Sequence, residues 1–410
     1  MLAQALNWEG SAFRYQDQRD KSDAAFQDAQ RTYTEAGDRL GAASSTMGLA
    51  TNLYHHGDLN GSRQLNEQSL AVFREVGAQR NTATCLVDIA IGYYDQGDLA
   101  RAQQMYEEAL GIQRDIGDRD SQANTLNSIA NVLADKGDQA GAKARYEEAL
   151  AAFRDTGSQF EIAMTMGNIG ELYLDEGNLP EARKMFEQAL EIKRSLHNRH
   201  SEAYTLSALG DLLLYQGDIA AARKAHEDAL AIRTQLGEKG TAAQESLALA
   251  RLTLEDGHPD EALSAARKAE ADFHAQNQVD YESAAHALAA RCLLQSGKLA
   301  EADAEIQQAE KLVKADDHVA HLPVAIAGAR IATASGDFAK SRTILDAALA
   351  EATKANLLYF QYEARLALGE LEVKSGKVAA GRVRLTSLEK DAKGKGFLLI
   401  ARKAAAASKG

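Results

Sequence analysis

The chain reads as an all-α solenoid: about ten antiparallel helical hairpins followed by a C-terminal capping helix. Three observations carry that reading. Ala and Leu dominate the 410 residues, only three are Pro, and β-branched and aromatic residues are thin, a composition that favours helix over strand. A glycine recurs every forty residues at Gly57, Gly97, Gly137, Gly177, Gly217, Gly257 and Gly297, then at Gly336 and Gly376. The residues around it repeat too, and a unit this small cannot bury its apolar face alone, so the copies must stack.

The clearest copy, residues 160–199, sets the register. Counting back one unit from Gly57 reaches Asp17, where the glycine is replaced but the flanking pattern holds. Seven residues before the turn every copy has Gly or Ala, from Gly10 and Ala50 to Gly170, Gly210 and Gly369. Five after it stands Ser, Ala or Gly, and twelve after it Ala or Ser, with Leu388 as the one departure. Small residues on both sides let paired helices approach closely.

The turn chemistry agrees. Gly ends each first helix in the left-handed conformation. Asp58, Asp98, Asp138, Asn178, Asp218 and Asp337 follow it and are expected to cap the second helices, Asn178 with Glu181 at capping-box spacing. Pro180 and Pro259 fall in the first turn of second helices. A second turn closes most units, at Gly37, Gly77, Gly117, Gly157 and Gly237. The expected organisation is one solenoid over 1–410: regular repeats to residue 240, Ala-rich and more loosely packed repeats over 241–395, and a capping helix and tail over 396–410.

This skeleton, with Met166, Ile169, Gly170, Tyr173, Gly177, Ala182, Phe186 and Ala189, resembles the tetratricopeptide repeat. The forty-residue period is similar to that of kinesin light chain and the Pins/LGN adaptors, and similar arrays form sensor halves of bacterial regulators. The resemblance implies a right-handed superhelix whose first helices line a concave groove, and members that bind peptides or proteins without doing chemistry.

Composition and motifs exclude other classes. A net charge of −13 disfavours nucleic acid and anionic membrane as partners. No apolar run reaches transmembrane length and the start lacks a signal-peptide pattern, so a cytoplasmic location is expected. Cys85 and Cys292 fall five repeats apart and read as free thiols. No phosphate loop, nucleophile elbow or zinc-protease motif is present, so no enzyme activity or cofactor is expected. The pairs His197/His200 and His318/His321, the latter beside Asp316 and Asp317, read as solvated histidines in turns and not as metal ligands.

The groove is the informative surface. Six residues before the turn the copies read Asn131, Glu171, Asp211, and then Arg251, Arg291, Arg330. Asp95, Asp135, Asp175 and Glu255 stand near the same face, with Asn124, Asn127, Asn168, Tyr94 and Tyr204. The amides can satisfy an extended peptide's N–H and C=O groups, the acids would favour Lys or Arg, and the arginines a carboxylate or phosphate. The competing reading is structural: Arg251 pairs with Glu255 four residues on, or the arginines neutralise acids across repeats.

The expected function is a non-catalytic scaffold binding an extended peptide or protein segment. The alternative is a sensor module of a larger bacterial regulator, switched by a peptide or small effector. On assembly, a homodimer through the first repeat, which carries Trp8 and Phe13, stands beside the alternative that both side chains face inward.

Overall fold

The computed structural model describes residues 1–313 and 318–409. They form twenty-one α-helices in two compact units, Met1–Ser158 and Gln159–Gly410. No strand occurs among the described residues.

The first unit holds four hairpins: α1 (Leu2–Tyr15) with α2 (Arg19–Glu35), α3 (Arg39–His55) with α4 (Leu59–Glu75), α5 (Gln79–Asp95) with α6 (Leu99–Asp115), and α7 (Arg119–Asp135) with α8 (Gln139–Thr156). The second unit holds α9 (Gln159–Asp175), α10 (Leu179–Ser195), α11 (Arg199–Tyr215), α12 (Ile219–Leu236), α13 (Lys239–Glu255), α14 (Pro259–Ala275) and α15 (Val279–Gln295). It continues with α16 (Leu299–Leu312), α17 (His318–Ala334), α18 (Phe338–Lys354), α19 (Leu358–Lys374), α20 (Val378–Lys395) and α21 (Leu398–Lys409). The unit boundary falls between α8 and α9, whereas residue 241 lies inside α13. The stretch 396–410, where a capping helix is expected, holds α21.

The three small-residue columns are buried in all ten copies, Leu388 included. They sit where paired helices touch. A Cβ on Gly170 would lie 2.5 Å from the Phe186 ring, and one on Gly210 would lie 2.5 Å from the His226 imidazole. The Ala-rich repeats bury their alanines just as fully: Ala262, Ala266, Ala269, Ala285, Ala289, Ala290, Ala302 and Ala309 are all inaccessible to solvent.

The turns follow the register more faithfully than they follow residue type. Gly177 has a φ of 72°, the left-handed conformation. Asp17, His197, Asn277 and Asn356 adopt the same conformation, with φ between 54° and 57°, at turns that lack glycine. Asp58, Asp98, Asp138, Asp218 and Asp337 each accept a bond from the backbone N–H three residues on. Asn178 departs from expectation. It occupies the N-cap position but its side chain makes no capping bond, and α10 starts instead on Leu179 and Pro180, whose ring is already set for the first turn.

In the second unit the last helices return to the first ones. Phe397, Ile400, Ala401 and Ala404 join Leu174, Leu179, Leu206 and Leu212 in one core. Tyr215 stacks on Tyr359 at 4.2 Å and lies 5.7 Å from Phe397. Arg402 donates to the Gly217 carbonyl at 2.8 Å and Lys403 reaches Glu255 at 2.7 Å. Cys85 and Cys292 are both free and buried.

Candidate functional site

Within the first unit the C-terminal ends of α3, α5 and α7 carry a repeated cross-repeat bond. The Tyr54 hydroxyl donates to Asp95 at 2.7 Å, and forty residues on the Tyr94 hydroxyl donates to Asp135 at 2.6 Å. Asn131 accepts from the Tyr146 hydroxyl at 2.5 Å, Asn127 also has a bonding partner, and Asn124 donates to the Asp120 carbonyl of its own helix. Burial pushes Asp135 up despite the Tyr94 bond. It pushes the Tyr54 phenol up to about 12, with the Asp95 bond adding to the shift.

Asp88 belongs to the same face and was not among the expected residues. Burial raises its carboxyl to about 6, and the Arg14 charge offsets that only in part. It stands nine residues before the turn, a column that also holds Ser128 and Asn168. Reading that column beside the six-before one would have found it.

In the second unit α9 and α11 form an acidic wall from Glu171, Asp175 and Asp211. Glu171 is exposed and makes no hydrogen bond or salt bridge among the described residues, whereas Asp175 and Asn168 have partners. Loss of solvation around the Glu171 carboxyl acts first, and the charges of Asp175 and Asp211 add to it. Its pKa rises to about 8, with Lys193 acting the other way. Lys193, 3% exposed, donates to the Thr205 hydroxyl at 2.8 Å. Burial lowers its ammonium to about 8, against the pull of Glu171.

The three arginines are met by the chain's own acids. Arg251 pairs with Asp211 one repeat back, and not with Glu255 on its own helix. Glu255 takes Arg291 at 3.0 Å and Lys403 at 2.7 Å. Burial alone would raise Glu255, but those two cations hold it below the ordinary carboxylate range. Arg330 reaches Glu363 at 2.7 Å and Glu370 at 3.4 Å. Tyr204 is 49% exposed, and its ring lies 4.5 Å from the Arg233 guanidinium, which is itself buried against Glu245.

The histidines also find acids. His200 bonds Glu238, and His318 and His321 share Glu351, while Asp316 and Asp317 lie outside the described residues. A cluster not expected from sequence joins Glu270, His286 and Glu305. Each imidazole nitrogen faces a different carboxylate, Glu305 at 2.8 Å and Glu270 at 3.7 Å. Hydrogen bonding to Glu305 raises the His286 pKa.

No helix among the described residues is long and apolar enough to cross a membrane. The tetratricopeptide repeat family model matches residues 42–115, 81–155 and 161–235. No curated protein sequence matches the chain. Among solved structures, the apo quorum sensor NprR from B. thuringiensis matches with a TM-score of 0.61 at 14% identity, over 85% of this chain and 98% of that one. Apo RapI gives 0.56 at 15% identity, over 67% and 99%. The Pyrococcus horikoshii signal-transduction ATPase with a tetratricopeptide repeat sensor gives 0.55 at 14%, over 85% and 54%. At these identities the likeness is one of fold. The repeat register, the hairpin packing and the family match agree over residues 42–155 and 161–235, and that part of the chain carries tetratricopeptide repeats.

Proposed function

We propose that this is a non-catalytic interaction protein that binds an extended peptide or protein segment carrying Lys or Arg on the inward face of its repeats. The observation that carries the reading is Glu171. It makes no salt bridge among the described residues, and loss of solvation first, then the charges of Asp175 and Asp211, raise its pKa to about 8. A ligand cation there would relieve the repulsion and draw the carboxyl back to its ionised form. Asp88 offers the same opportunity on the first unit. The arginines of the second unit are already engaged by internal carboxylates, so an acidic ligand gains less from them.

A phage-displayed library of unstructured peptides, selected against the intact chain, tests this. Enriched peptides should carry Lys or Arg, and Glu171→Gln should weaken them by about tenfold, as expected for losing about 1.4 kcal/mol of ion-pair contact. Enrichment of acidic peptides, or equal binding by the variant, would overturn the site.

A second reading, a switched sensor module, is favoured by the contact of α21 with α11 and α13. This contact ties the end of the second unit to its earlier helices. Of the neighbours in fold, NprR is described as a quorum sensor and the Rap conjugation gene regulator of plasmid pLS20 was solved with the Phr* peptide (TM-score 0.56, 12% identity). A saturating selected peptide should then change the radius of gyration in solution scattering. An unchanged radius leaves the scaffold reading alone.

A further inference from the structure

Helix α1 turns an uncharged seam to solvent. Met1, Ala5, Trp8, Ala12 and Tyr15 follow one another at alternating intervals of four and three residues, and all five are exposed. Trp8 is 68% exposed and Tyr15 89%. That spacing keeps residues on one side of a helix packed lengthwise against another. In the following repeats the equivalents of Ala5 are Ser45, Cys85 and Thr125, and those of Ala12 are Asn52, Gly92 and Val132. All six are buried, and the second helix of the preceding hairpin stacks on each of these helices. Ala5 and Ala12 therefore lie on the stacking face of the repeat, Trp8 and Tyr15 run along its edge in the columns of Asp88 and Asp95, and none of the described residues covers them.

We propose that this seam pairs with the same seam of a second copy, α1 running antiparallel to α1 about a two-fold axis at Trp8. Two features select a second copy over another stacked hairpin. Reversed about Trp8, the seam matches itself: Met1 meets Tyr15 of the second copy, Ala5 meets Ala12, and the alanines flanking each Trp8 leave room for the opposite indole. A two-fold interface requires this kind of self-complementarity. Glu9 is the second feature. It is exposed and stands where Ile89 and Ile129 are buried in later repeats, so a hairpin stacked in the regular register would bury a carboxylate. In the antiparallel pair Glu9 lies at the edge.

A fourteen-residue helix is only about 21 Å long, so the interface lies at or below about 1,200 Å² and the association is weak. Sedimentation equilibrium of the full chain between about 1 and 200 µM, the range in which weak complexes of this size assemble, tests it. The expected mass rises from 44.1 kDa towards twice that value. Trp8→Glu should remain monomeric with an unchanged melting curve, since the side chain is mostly in solvent. Ala5→Leu with Ala12→Leu adds apolar surface yet fills the space for the opposite Trp8. It should weaken the dimer, whereas indiscriminate apolar association would strengthen. Trp8→Cys should oxidise to a covalent dimer, and the buried Cys85 and Cys292 do not compete. A monomer at every concentration, or a dimer that survives Trp8→Glu or tightens in the leucine variant, would overturn the proposal.

Discussion

In the first unit Asp95 and Asp135 are met by tyrosine hydroxyls, and Asp88 makes no hydrogen bond or salt bridge among the described residues and feels the Arg14 charge. In the second, Asp211, Glu255, Glu363 and Glu370 are met by Arg251, Arg291, Arg330 and Lys403. The repeat positions correspond, but the electrostatics do not. A hydroxyl satisfies a carboxylate's lone pairs and leaves its charge in place, while a guanidinium cancels it. The inward face of the first unit therefore stays negative. In the second unit most of these carboxylates are met by internal cations, whereas Glu171 makes no salt bridge among the described residues and only Lys193 acts against its upward shift.

The comparison can be broken most forcefully at Arg330. Arg330→Ala leaves Glu363, 7% exposed at its side chain, without its nearest cation, and should destabilise the chain by about 3 kcal/mol in urea unfolding. The same carboxyl gives the pH signature of the second unit. Burial would raise Glu363, but Arg330, Lys403 and Arg291 hold it well below its ordinary value of 4.5. Its stabilisation is complete above pH 4.5 and is lost as pH falls below it. Melting the Arg330→Ala chain from pH 7 to pH 3 should show a smaller loss of stability than wild type.

A packing change comes next. Gly170→Ala puts a methyl group 2.5 Å from the Phe186 ring, which is 1% exposed and has little room to move, and should cost about 2 kcal/mol. An unchanged melting temperature would mean that the α9–α10 pair relaxes more readily than its close approach implies.

Asp88→Asn sharpens the contrast from the other side. A carboxyl raised to about 6 favours the folded state when protonated and opposes it once ionised, so its contribution is lost as pH rises from about 4 through 6. The amide variant should be more stable than wild type at pH 7, by about 1 kcal/mol, and nearly equal to it at pH 4. The smallest effect is expected at Tyr94→Phe. Removing one hydroxyl donor from Asp135 at a partly exposed site should cost at most about 1 kcal/mol.

Local chemistry made much of the fold legible. The forty-residue register located the turn at Asp17 without a glycine. The three small-residue columns identified the helix contacts that the structure buries. The site was less legible because its pairings depend on distances between repeats. Arg251 has Glu255 four residues away on its own helix, yet it turns to Asp211 across the stack, because Lys403 and Arg291 occupy Glu255. Lys403 arrives from α21, and no periodicity announces a contact 148 residues apart. Tyr54 was missed for a related reason, and Tyr94 was expected to offer a ring to a ligand and not a hydroxyl to Asp135. Tyr54 and Tyr94 fall in a column that is Ala134 and Leu174 in the next two copies, so the pattern ends after two rungs.

The return of α21 bears on the order in which the chain acquires its structure. Stacked hairpins touch mainly their neighbours, so most of them can form as soon as they are synthesised, and folding can spread from any of them. The bond from Arg402 to Gly217 spans 185 residues, and the core that holds Phe397 and Ile400 also needs Leu174 and Leu206. A chain made from its N-terminus can complete the first unit while synthesis continues. The second unit must hold an open apolar edge until almost its last residue emerges. Premature termination or a frayed C-terminus would then expose sticky surface at helices made long before, which makes that edge the vulnerable point of the nascent protein.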